Sequence, residues 1–167
     1  MKTNFMLFRA IEDDNVKTVK DLLNKHKYQE CSADVNACQP EEEGGAAALH
    51  VACQLGRLKI LEIMLADPAI DINARNNEFK APVHIAAEFG HLAILKILRR
   101  FEVVRFDLED CERSTPLHKA AHHGHEPCVR FIISDPTADP SKKNKFGETA
   151  LDLASTREIE EVSLRFL

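Results

Sequence analysis

A step of 34 residues constrains this chain more than any other feature in it. Alanines 52, 86, 120 and 154 hold the same place in the segments AALHVACQLGRL, APVHIAAEFGHL, TPLHKAAHHGHE and TALDLASTREIE, and a degenerate copy, FMLFRAIEDDNV, puts Ala10 in that role. Self-similarity at such a period signals a stacked array, because one unit cannot bury its apolar face alone. The third of the full copies shows the local logic. Thr115 can cap a helix through its side-chain oxygen, and Pro116 suits the first helical position. Leu117, Ala120 and Ala121 form an apolar face, Gly124 can end the helix in a left-handed turn, and His125 opens a second helical run over 128–133.

These segments resemble the ankyrin repeat family, whose unit of about 33 residues carries Thr-Pro-Leu-His-x-Ala. The resemblance covers nearly all of 4–167, and four matches in phase, each with an apolar second helix, make it specific. It implies an all-α solenoid of about five helix-turn-helix units joined by loop or β-turn fingers. The units fall near 4–37, 46–74, 80–108, 114–142 and 148–167, one domain over 1–167. The residue in excess of the family period falls after the second helix, in ADPAID at 66–71 and SDPTAD at 134–139. From Ala10 to Ala52 the step is 42, and the turn SADVNA places the surplus within 24–31 and in the finger QPEEEGG at 39–45.

The end units should act as caps. Unit one carries Arg9, Glu12, Asp13, Thr18 and Asp21 where inner units are more apolar. Unit five has Glu160, Ser163 and Arg165 against the expected core positions Leu92, Leu95 and Ile97 of unit three. There Asp152 replaces the motif histidine, and Glu158 takes the place of Gly90 and Gly124. A polar outer face is what a terminal repeat needs. That pattern suits a complete solenoid and equally a domain within a longer chain.

Composition narrows the function classes. A net charge of −5, from 22 basic and 27 acidic residues, argues against general nucleic-acid binding, which wants a basic face. Glu62 and Lys96 interrupt the two best apolar runs, so no membrane insertion is expected, and the apolar stretch 5–8 is too short for a secretory leader. Aromatics are only 6%, so the core must come from Leu, Ile, Val and Ala. Cys31, Cys38, Cys53, Cys111 and Cys128 are odd in number and spread over different units. They read as reduced thiols of a cytoplasmic or nuclear protein, expected to be monomeric.

Little here suggests catalysis. His50, His84 and His118 recur once per unit, and the resemblance implies that they bond backbone and tie loops together. His118 and His122, four apart, could begin a zinc site, but a third ligand and a carboxylate base are missing from the pattern. Cys53 and Cys128 read as small buried hydrophobes. No nucleophile elbow, phosphate loop or paired carboxylates stand out, so a non-enzyme without cofactor or metal is expected. Asn73 closes LADPAIDIN, similar to the Leu-x5-Asp-apolar-Asn pattern that an asparaginyl hydroxylase modifies in some ankyrin repeats; a backbone-bonding turn asparagine is the favoured reading.

The resemblance places a protein partner on the concave face, on the fingertips and the open side of each first helix. By position the fingertip residues are Asn77, Glu78 and Lys80; Cys111, Glu112 and Ser114; and Lys145, Phe146 and Glu148. The helix residues are Gln54 and Leu55, Glu88 and Phe89, His122 and His123, with Thr156 and Arg157 in unit five. Phe89 is the favoured anchor, since aromatics dominate interface energetics. Phe79 stands where a turn glycine is usual, so either that turn differs or the ring packs across the loop. Fingertip charge runs from Glu41, Glu42 and Glu43 to Lys142, Lys143 and Lys145, a gradient that could fix a partner's register. The expected function is an adaptor, inhibitor or targeting module. The alternatives are the cytosolic sensing or tethering region of a larger protein and, less favoured, a metal-dependent protein built on the unit-four histidines.

Overall fold

A computed structural model describes residues 2–24, 34–39 and 44–154. The acidic run Glu41, Glu42 and Glu43, Cys31, and the unit-five residues Thr156, Arg157, Glu158, Glu160, Ser163 and Arg165 lie outside the described residues. Within them are eight α-helices: α1 Lys2–Glu12, α2 Val16–Leu23, α3 Ala48–Gln54, α4 Leu58–Leu65, α5 Pro82–Glu88, α6 Leu92–Leu98, α7 Pro116–His122 and α8 Glu126–Ile133. None is long and apolar enough to cross a membrane. Among the described residues there is no strand, only an isolated antiparallel bridge between Cys38 and Ala47.

Each helix pair is short because its sequence punctuates it. The first helices of units two to four open from extended backbone at Ala47, Ala81 and Thr115, with Pro82 and Pro116 entering the first turn. They end where Gly56, Gly90 and Gly124 take φ values of 70°, 71° and 74°, a conformation that costs glycine nothing. In unit one Asp14 adopts it instead, at φ 53°. Thr115 does not cap α7 in the expected way. Its hydroxyl donates to His118 Nδ1 at 2.8 Å, because the motif histidine occupies the space over the helix start.

The pairs stack in two layers. One layer is α1, α3, α5 and α7, and the other α2, α4, α6 and α8, each helix touching its counterpart in the next unit. The first layer is close-packed because its motif position is small: Ala52, Ala86 and Ala120 have no exposed surface. In the second layer Ile60, Leu61 and Met64, then Ile94, Leu95 and Leu98, repeat at helical spacing and are wholly buried. Leu92 and Ile97 are only half-buried, so the core stripe of α6 is narrower than expected. Phe106 meets Phe131 edge to face at 6.2 Å, and Arg99 lies over the Phe131 ring while pairing with Asp135 at 3.1 Å. Asn73 is a turn residue in the favoured sense, its amide donating to the Val103 carbonyl at 2.8 Å.

Candidate functional site

Three ladders of polar contacts run from unit to unit and set the geometry of the fingers. The first uses the motif histidines. Nδ1 of His50, His84 and His118 accepts the backbone N–H of Ala47, Ala81 and Thr115 at 3.0, 3.2 and 3.2 Å. An obligatory donor at Nδ1 leaves the ring proton on Nε2. That N–H donates to the carbonyls of Lys80, Leu108 and Glu148 in the following finger, at 2.9, 2.9 and 3.2 Å. Burial holds all three imidazoles below their ordinary value, His84 down to about 3. Both nitrogens of His118 are thereby committed, so the pair His118 and His122 does not converge as metal ligands. No group of three or more potential ligands occurs among the described residues.

The second ladder joins the layers. The residue before each second helix reaches back to the end of the preceding unit's first helix. Arg57 donates to the Glu12 carbonyl at 2.7 Å, His91 Nε2 to Gln54 at 3.0 Å and His125 Nε2 to Glu88 at 2.9 Å. The third ladder shapes the fingertips. Asn76 Oδ1 accepts the N–H groups of Glu78 and Lys80, Asp110 Oδ1 those of Glu112 and Ser114, and Asn144 Oδ1 those of Phe146 and Glu148, all at 2.8–3.0 Å. Neighbouring fingers then bond directly: Asn77 N–H to Gly44, Cys111 N–H to Glu78 and Lys145 N–H to Glu112.

Each finger needs one left-handed residue, and these are Phe79, Arg113 and Gly147 at φ 57°, 57° and 81°. Phe79 therefore follows neither expected course. The turn has the same form as its neighbours, and the ring is 62% exposed rather than folded across the loop. Two of the three residues carry a side chain in a region that disfavours one.

Between these fingers and the first helices of units three and four lies a cavity of about 340 Å³. Lys80, Glu88, Glu112, Ser114, His122, His123 and Phe146 line it, with Lys119, Asn144, Glu148 and Leu153. Eight residues of the expected partner surface, Glu148 among them, thus meet at one groove. Gln54, Leu55, Asn77, Glu78, Phe89 and Lys145 lie outside its lining. Of these, Phe89 is 45% exposed at the end of α5, whereas the groove residue Ser114 is itself buried.

Ion pairs furnish the groove. Lys80 sits between Glu78 at 2.8 Å and Glu88 at 2.9 Å, and Lys119 between Asp110 at 2.7 Å and Glu112 at 3.6 Å. Burial alone would lower Lys80 and raise Asp110. The partner charges prevail, holding Lys80 above its ordinary value and Asp110 below. Burial also lowers His123, against the pull of Glu88 at 3.9 Å. Lys119 was invisible as a site residue in the sequence, although its place beside the motif histidine on α7 was a usable signal. The lysines of the last finger present less free charge than their sequence suggests: Lys142 pairs with Glu109 at 2.9 Å and Lys145 with Glu112 at 3.0 Å.

The stack and its ladders agree with comparisons across known proteins. A family model described as ankyrin repeats (3 copies) matches residues 83–166, and one described as ankyrin repeats (many copies) matches residues 49–99. No curated protein matches the chain. Ankyrin repeats are in general protein–protein interaction modules and are typically non-catalytic. With a period of 34, histidines bonded across successive fingers and family matches spanning most of the helices, this chain belongs to the ankyrin repeats.

Proposed function

We propose that this protein is an interaction module of the adaptor, inhibitor or targeting kind, and that its partner rests on the concave side, across the fingertips and first-helix ends of units three and four. The observation carrying this reading is the convergence on one groove of Lys80, Glu88, Glu112, His122, His123 and Phe146. Phe79, Phe89 and Phe146 lie exposed on the same fingers and helix ends, and exposed aromatics beside a polar cleft suit a protein interface. Unbridged Cys38, Cys53, Cys111 and Cys128 support a reducing, cytoplasmic or nuclear setting.

The test is affinity capture from the source cell with three baits. A partner retained by the native chain and by Lys59→Ala, in the other helix layer, should be lost from the Phe89→Ala, His122→Ala double variant. Equal recovery on all three baits would place the partner elsewhere.

A further inference from the structure

The concave-face reading leaves the chemistry of the partner open, and the groove's charge balance addresses it. In and beside the groove stand five carboxylates, from Glu78, Glu88, Asp110, Glu112 and Glu148, against three ammonium groups, from Lys80, Lys119 and Lys145. Both lysines of the lining are spoken for: each side chain is only 13% exposed and lies between two carboxylates. Lys145 is drawn to Glu112 at 3.0 Å and lies over the Phe146 ring at 4.9 Å. Glu148 receives the side-chain amide of Asn144 at 3.0 Å, a neutral donor, and pairs with no cation among the described residues. The groove is therefore negative as well as aromatic-rimmed, in a chain whose net charge is −5.

Resting on the interaction reading above, we infer that the groove receives a cationic side chain, Arg or Lys, from an extended segment of the partner protein. The cation lies among Glu88, Glu112 and Glu148, and an apolar neighbour in the segment contacts Phe146 or Phe89. Electrostatic complementarity and the negative face of the aromatic ring both favour that occupant. An acidic or phosphorylated segment would meet surplus carboxylates, with the lysines already neutralised.

The test uses the whole chain, with short random peptides displayed on phage as the probe, near pH 7.5 and at low salt. Groove binders are those lost on Phe146→Ala. They should carry Arg or Lys beside an apolar residue. Replacing that Arg by citrulline, or Lys by norleucine, should weaken binding about tenfold or more, as should Glu148→Gln or Glu88→Gln in the chain. Circular dichroism confirms that each variant is folded, and the peptide-side replacement needs no variant at all. Groove binders that are acidic or uncharged, and indifferent to both Gln variants, would overturn the cationic assignment while leaving the interaction reading intact. If no enriched peptide depends on Phe146, both readings fall.

Discussion

Gly90 joins two demands that can be separated by experiment. Its φ is 71°, so alanine there carries the strain of the left-handed region, partly offset by the stiffer unfolded chain, for a net cost of about 1 kcal/mol. A Cβ at Gly90 would also lie 2.6 Å from Nδ1 and 2.8 Å from Cε1 of His125, well inside contact distance. The imidazole must withdraw, and with it goes the 2.9 Å bond from Nε2 to the Glu88 carbonyl, worth about 1 kcal/mol or more since the carbonyl is left without its partner. Gly90→Ala should therefore cost about 2–3 kcal/mol, lowering Tm by roughly 4–12 °C for a chain this size. Gly147 supplies the control: its φ is 81°, but nothing lies within 4 Å of its added Cβ, so Gly147→Ala should cost only the backbone share of about 1 kcal/mol. Urea unfolding followed by circular dichroism gives both numbers. In a His125→Ala background the Gly90→Ala cost should shrink to that of Gly147→Ala. Equal costs at the two glycines, or a Gly90→Ala cost unchanged by removing His125, would refute the second ladder as an energetic link between units.

Three further outcomes follow from the same geometry. Ala81 occupies the place of Thr115, whose hydroxyl bonds the motif histidine at 2.8 Å; Ala81→Thr should supply the equivalent bond to His84, adding about 0.5–1 kcal/mol and a Tm rise of roughly 2–4 °C, and a lower Tm would mean the buried hydroxyl is not accommodated. Phe79 and Arg113 hold φ 57° with exposed side chains, so Phe79→Gly should stabilise by about 0.5–1 kcal/mol, and a loss of stability would show that the ring holds its finger. Burial depresses His84 from 6.5 to about 3, so below pH 6.5 the unfolded chain binds the proton more readily and stability falls with pH. At pH 5 His84 alone removes about 2 kcal/mol, with His50 and His118 acting in the same direction; unfolding free energies that stay flat between about pH 7 and 5 would contradict it.

The sequence by itself determined the units. Apolar residues at helical spacing, proline at helix starts and glycine at helix ends are local signals, and a period of 34 states that the same local solution recurs. Stacking and the buried alanines then follow, because a helical hairpin must cover its apolar face with the next one. Even the bonding of the motif histidines was within reach, through the family likeness. What only the tertiary structure decided is which polar groups meet across units. Arg57, His91 and His125 are unlike residues doing one job, and their shared role exists only once the helix ends they bridge are side by side. Phe79 keeps the turn of Gly147 because its finger is bonded to fingers on both sides, which outweighs the preference of a single residue. Lys142 and Lys145 read as open charge along the chain, yet each finds its carboxylate in the preceding finger, 33 residues away. Local propensity is written residue by residue, whereas the charge a partner meets is set by pairings between segments far apart in the chain.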